Sequence, residues 1–166
     1  MVFYIPDFHV TGIGFNALNK SREDLLFLYR EMNFRPLIED IVTVNDEKVK
    51  YFASNMNLLG GYVDSILKAI DEKCHENDFL LMDFPFAIKF QGYSKIVSYA
   101  VSKKVKVVFF VHDLDGIRFQ NPLVNLSDSS CLDMAYCLIT PSKQMDEVLH
   151  EQLRVSKKVK IVNHDF

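Results

Sequence analysis

The chain has 166 residues, 49% hydrophobic and 25% charged, with 14 Phe, 7 Tyr and no Trp. That length builds one domain with a real, aromatic-rich core and is too short for two full-sized lobes, and the mixture excludes a disordered chain. A formal net charge of −3 and a pI near 5.9 give no basic footprint for nucleic acid, so the short runs Lys103-Lys104 and Lys157-Lys158 read as solvated faces.

Val2 to Ile5 is a short apolar run ended by Pro6, a strand entering a loop that holds Gly12 and Gly14. Lys20 to Met32 places Leu25, Leu28, Tyr29 and Met32 on one helical face, with Ser21 and Asp24 suited to its first turn and Asn33 to its stop. Arg35 to Val44 has the β-branched content of a second strand. Lys48 to Glu72 follows the three-to-four spacing of a long helix, with Gly60-Gly61 as a candidate kink or break.

Phe79 to Asp83 is a strand of the buried type closed by Pro85, and Tyr93 to Ser102 is a helix. Val105 to Val111 is the most hydrophobic strand. A polar loop and a short helix through Leu132 to Ala135 lead to a strand at Tyr136 to Thr140, a helix at Ser142 to Gln152 and a last strand at Val159 to Val162. Alternating strands and helices, with continuously apolar strands, predict an α/β fold: a Rossmann-like three-layer sandwich with a mostly parallel sheet. Such folds bind ligands outside the carboxyl ends of their strands, where 6–19, 83–90, 112–119 and 140–143 gather on one rim.

The three cysteines are odd in number, lack C-x-x-C spacing and sit in apolar or helical contexts, which points to small hydrophobes in a reducing cytoplasm. No signal peptide is legible and no run approaches the about 18 apolar residues of a membrane span. Peripheral attachment to a membrane surface stays open.

Gly12 to Ala17 supplies G-x-G-x-x-A, but the loop is far longer than the tight turn that an NAD-binding fingerprint serves. It could still offer backbone N–H groups and a helix N-terminus to a phosphate. Asp113-x-Asp115 after a buried strand matches the way some glycosyltransferases hold Mg²⁺ or Mn²⁺ with paired carboxylates, and equally a turn or helix cap. His112 fits a catalytic base, or a ring bonding a neighbouring loop. No G-x-S-x-G, H-E-x-x-H or P-loop occurs, the five histidines have no metal-ligand spacing, and a phosphoacceptor domain would need an acidic pair where this chain has Ile5-Pro6-Asp7.

The segment FNALNKSREDLLFLYREMNFRPL resembles the opening of bacterial galactofuranosyltransferases and related glucosyltransferases, with an N-A-G-x-K-A-x-x-D-like loop starting the first helix. Asn16, Ala17, Lys20, Ser21 and Asp24 fit it; Leu18 replaces the glycine. LLMDFPF, containing Pro85, is similar to the family's strand and following loop. VVFFVHDLDGIRF is similar to its H-D-L-x-x-x-R segment, and CLITPSKQMDEVL, containing Ser142, to its strand and next helix start.

The resemblance, over nearly the whole chain, implies a metal-independent GT-B glycosyltransferase with two Rossmann-like lobes facing a cleft. Residues 1–166 would be the N-terminal, acceptor-side lobe, and the donor lobe would lie in a missing C-terminal part or a second subunit. It implies a nucleotide-diphosphate sugar as donor substrate, with no cofactor, and a glycan or lipid-linked acceptor. His112 and Asp113 would lie at the cleft as base or orienting pair. Arg118 and Lys20 could meet anionic groups, or be a surface ion-pair partner and a solvated helix residue. Asn16, Ala17, Pro85 and Ser142 complete the implied substrate contacts. An exposed apolar rim would leave the lone lobe prone to self-association. In this reading Asp115 becomes a turn or cap residue. The competing class is a non-catalytic module that binds a nucleotide or partner.

Overall fold

The computed structural model describes residues 1–6, 9–11, 17–38, 43–45, 56–85, 92–118, 120–156 and 159–163. Its elements in chain order are β1 (Val2–Tyr4), β2 (His9–Thr11), α1 (Ala17–Glu31), β3 (Arg35–Pro36), β4 (Thr43–Asn45), α2 (Met56–Lys73) and β5 (Phe79–Phe84). They continue with α3 (Tyr93–Ser102), β6 (Lys106–Val111), α4 (Asp115–Arg118), α5 (Pro122–Leu132), β7 (Cys137–Thr140), α6 (Lys143–Glu151) and β8 (Lys160–Asn163).

Six strands form one sheet in the order β3-β1-β5-β6-β7-β8, and every pairing is parallel. This is the expected Rossmann-like α/β fold. The chain steps from β1 one way to β3, then the other way from β5 to β8. Crossovers between parallel strands are right-handed, so reversing direction moves the connecting helix to the other face. Accordingly, among the described helices, α1 is the one on this face: Leu25 and Tyr29 pack with Tyr4, Leu81, Val108 and Cys137. The opposite face carries the larger core, in which Ile66 and Ile70 of α2, Ile96 and Val97 of α3, Leu132 of α5 and Leu149 of α6 bury Leu80, Met82, Phe109 and Leu138.

Period-two alternation sorts each strand between these layers. Lys106, Val108 and Phe110 face α1, whereas Val107, Phe109 and Val111 face the larger core. The register carries the sorting across the sheet, pairing Leu81 with Val108 and Asp83 with Phe110.

Several expectations need correction. The strand predicted over Arg35 to Val44 is two short strands, with 39–42 outside the described residues. β3 is a two-residue edge strand, Arg35–Pro36, and β4 pairs with β2 in a separate two-stranded sheet. The polar loop before Leu132 is the helix α5, capped by Asn121, whose side chain accepts from the N–H groups of Leu123 and Val124, with Pro122 at its first turn. Its apolar period is poor because Leu123 and Leu126 are 77% and 70% exposed and only its C-terminal end enters the core. The short helix predicted over Leu132 to Ala135 is instead the end of α5 at Leu132 followed by a turn at Asp133 and Met134. Helix α2 runs through Gly60 and Gly61 without a break, and a methyl at either would meet nothing within 4 Å. Helix α1 starts at Ala17, three residues before the predicted Lys20.

Candidate functional site

The carboxyl ends of β5, β6 and β7 bring the predicted rim residues together. Asp83 sits one residue before the end of β5 and His112 one residue beyond β6, and the alternation that turns Phe110 toward α1 turns both of them the same way. The ladder extends past β6 through the His112 N–H, which donates to the Phe84 carbonyl at 2.8 Å. Across it His112 Nε2 meets Asp83 Oδ1 at 2.7 Å, with the side chains 9% and 7% exposed. A carboxylate only accepts, so Nε2 carries the proton and the basic lone pair of the neutral ring is on Nδ1.

The surroundings fix Asp83 from both faces. Tyr93, at the start of α3, donates its hydroxyl to the Asp83 carbonyl and stacks on Phe109 with centroids 5.7 Å apart. On the α1 side Tyr29 is buried between Tyr4 and Phe110, at 5.0 and 5.9 Å. Burial, and then the Asp83 charge, pushes the Tyr29 hydroxyl far above the ordinary tyrosine range, so it stays a neutral phenol. That hydroxyl has no hydrogen-bond partner among the described residues.

Asp113 is engaged differently. Its Oδ1 accepts from the Leu114 N–H at 2.8 Å, beginning the turn into α4, and its Oδ2 accepts from Arg118 Nη1 at 2.8 Å. The anionic group facing Arg118 thus includes the chain's own Asp113. Asp115 is the first residue of α4. No group of three or more His, Cys, Asp or Glu among the described residues could hold a metal ion.

Past β7, Thr140 is buried and donates to Asp146 Oδ1 at 2.6 Å, and Ser142 caps α6 by accepting from the Met145 N–H at 3.3 Å. Pro85 follows a cis peptide bond to Phe84. Ala17 and Lys20 lie in the first turn or so of α1, and Asn16 is outside the described residues.

Between α1 and the ends of β6 and β7 runs a groove of about 590 Å³. Leu25, Phe27 and Leu28 form its α1 wall with Asp24 at one end, Phe110 and Ile139 form its floor, and His112, Thr140 and Pro141 line the sheet end. The pairing of His112 with Asp83, and the service of Thr140, Asp146 and Tyr93 in bracing the rim, are not legible from motif spacing. An aspartate within an otherwise apolar strand was the available signal, since a buried carboxylate needs a partner.

The three thiols are shifted by burial as well. Burial pushes Cys131 up to about 12 and Cys74 up to about 11, and raises Cys137. No described helix is long and apolar enough to cross a membrane. The family described as glucosyltransferase 3-like, N-terminal domain, matches residues 5–166. No curated protein matches the chain.

Proposed function

The chain belongs to the glucosyltransferase 3-like N-terminal domain family, and on that premise we propose that it is the acceptor-side lobe of a GT-B glycosyltransferase. The whole enzyme moves glucose or galactofuranose from a nucleotide-diphosphate donor to a glycan or lipid-linked acceptor. The donor lobe comes from outside these 166 residues, as a further segment or a second polypeptide. The observation that carries this reading is the His112–Asp83 pair at the head of the groove. An acceptor hydroxyl lying there would give its proton to His112 as its oxygen attacks the anomeric carbon. The sugar–phosphate bond then breaks, and the nucleotide diphosphate leaves with the bonding electrons. Asp83 orients the ring and stabilises the imidazolium that forms, acting as a positioning residue.

The mostly apolar walls favour an acceptor with an apolar portion, and Asp24 at the groove's end disfavours an anionic one there. Ala17 and Lys20 at the α1 N-terminus would approach the donor phosphates together with Asn16. Arg118, Pro85 and Ser142 would complete the substrate contacts at the strand ends. Work at a cytoplasmic membrane face suits a lipid-linked acceptor.

The test is transfer from a UDP-sugar once the chain is joined to, or mixed with, a donor-lobe protein. His112→Gln is expected to lower kcat by about a hundredfold or more with the fold intact, and the isolated chain to be inert. Enzyme-like transfer by the isolated chain, or full activity in the glutamine variant, would overturn the reading.

A further inference from the structure

We propose that Tyr93 is a positioning residue for the His112–Asp83 pair: from the sheet face opposite α1, its hydroxyl pins the backbone of Asp83 and so sets where the His112 ring stands. Its part in proton transfer rests on the glycosyl-transfer reading, whereas its hold on the ring rests on distances and packing alone.

The end of β5 is tied unequally on its two sides. Carbonyls along a strand alternate between its two neighbours. Toward β6 the ladder runs past Asp83, because the Phe84 carbonyl accepts from the His112 N–H at 2.8 Å. Toward β1 the last ladder bond among the described residues joins the Ile5 N–H to the Leu81 carbonyl at 3.0 Å, two residues short of Asp83. The Asp83 carbonyl points to that same side, and the Tyr93 hydroxyl donates to it. A side chain thus supplies a tie at the residue whose carboxylate holds the ring.

Tyr93 is itself firmly placed. Its ring stacks on Phe109 at 5.7 Å with an interplanar angle of 16°, and it meets the Phe84 ring edge-on at 5.7 Å. Both phenylalanines are buried in the larger core, as are Ile96, Val97 and Ala100 of the helix that Tyr93 opens. Packing explains the ring, and a tyrosine hydroxyl in such surroundings takes some partner. Neither reason requires that partner to be the carbonyl of Asp83.

Small movements matter at this point. Asp83 Oδ1 and His112 Nε2 are 2.7 Å apart, and a contact beyond about 3.5 Å is no longer a hydrogen bond. Drift of about 1 Å in the Asp83 backbone therefore frees the ring to turn, and misplacement on that scale costs a reaction up to about a hundredfold in rate. The Nε2–H lies in a site little exposed to solvent, so its exchange with water reports the ring's hold without any substrate.

Nuclear magnetic resonance of the 166-residue chain carrying isotope-labelled histidine reads that exchange, the signal being assigned by its absence from His112→Gln. Tyr93→Phe keeps the ring and removes the hydroxyl. Exchange of the Nε2–H is expected to quicken by about tenfold or more relative to the Leu138 amide, which follows global opening of the core. In the enzyme assembled with a donor-lobe protein, the same variant is expected to lower kcat by about tenfold with KM unchanged. A folded Tyr93→Phe that loses stability but keeps the wild-type exchange ratio overturns the proposal and leaves Tyr93 a core residue. If that variant does not fold, a ring-fluorinated tyrosine at position 93 keeps the shape and donates more strongly; it is expected to slow the exchange by about twofold or more, and an unchanged rate overturns the proposal. Quickened exchange with unchanged kcat, in an enzyme that His112→Gln disables, overturns the positioning role. Quickened exchange in an enzyme indifferent to His112→Gln supports the hold of Tyr93 on the ring, and there it is the glycosyl-transfer reading that fails.

Discussion

Two contacts between an aspartate and a basic side chain leave the end of β6 within seven residues of sequence. Asp83 with His112 and Asp113 with Arg118 have nearly the same separation, 2.7 and 2.8 Å, yet the first pair is 7% and 9% exposed and the second 31% and 63%. Distance therefore says little about what each does. The pair is little exposed, so solvent competes weakly for its bond and the ring is held in one orientation. At the surface the exposed pair competes with solvent and gains only a small Coulombic term. A fixed ring suits proton transfer, and a solvated pair suits closing the turn into α4.

Replacing each partner separates the two contacts, and the largest effect is expected at the buried one. Asp83→Ala removes the acceptor of the His112 Nε2–H in a site little exposed to solvent and should cost about 3 kcal/mol in urea unfolding; a cost no larger than that of an exposed pair would erase the distinction. Tyr29→Phe removes a buried hydroxyl that has no partner among the described residues. It should stabilise the fold by about 1 kcal/mol, read as a higher denaturation midpoint with unchanged slope. A loss of stability would instead mean that the hydroxyl reaches Asp83 through water.

Arg118→Ala should change stability by less than about 0.5 kcal/mol, with a salt dependence that vanishes in the variant. The smallest effect is expected at a third contact, wholly on the surface, where Asp71 meets Lys103 Nζ at 2.6 Å and accepts from the Tyr99 hydroxyl at 2.6 Å. The hydrogen bond from Lys103, then that from Tyr99, holds the Asp71 carboxyl below the usual carboxylate range. Its contribution is present above the ordinary aspartate pKa and is lost as pH falls through the lowered folded value. Asp71→Asn should slightly flatten the acid limb of a stability–pH curve and leave the neutral region unchanged in slope.

Much of the fold was legible because its signals are local. The apolar runs at Phe79 to Asp83 and Val105 to Val111 mark strands buried on both faces, and Asn33 marks the end of α1 because asparagine tolerates the left-handed conformation. The helix α5 was missed because its apolar residues do not repeat on one face, although Asn121-Pro122 is a cap signal readable without periodicity. At the site, the position of His112 after a buried strand left a base and a ring bonding a neighbouring loop equally open, and only the family resemblance put it at the cleft. Asp83 was read only as the residue that ends a strand.

What the sequence by itself determined was the element types, the parallel sheet and the rim where polar residues collect, since periodicity and turn chemistry act over a few residues. The tertiary structure decided which aspartate meets His112. That choice depends on β5 lying beside β6, on a register that aligns Asp83 with Phe110, and on both side chains facing α1. That juxtaposition is not encoded in spacing along the chain, because partners across a sheet are set by strand order and register, and these follow from how the whole core is buried.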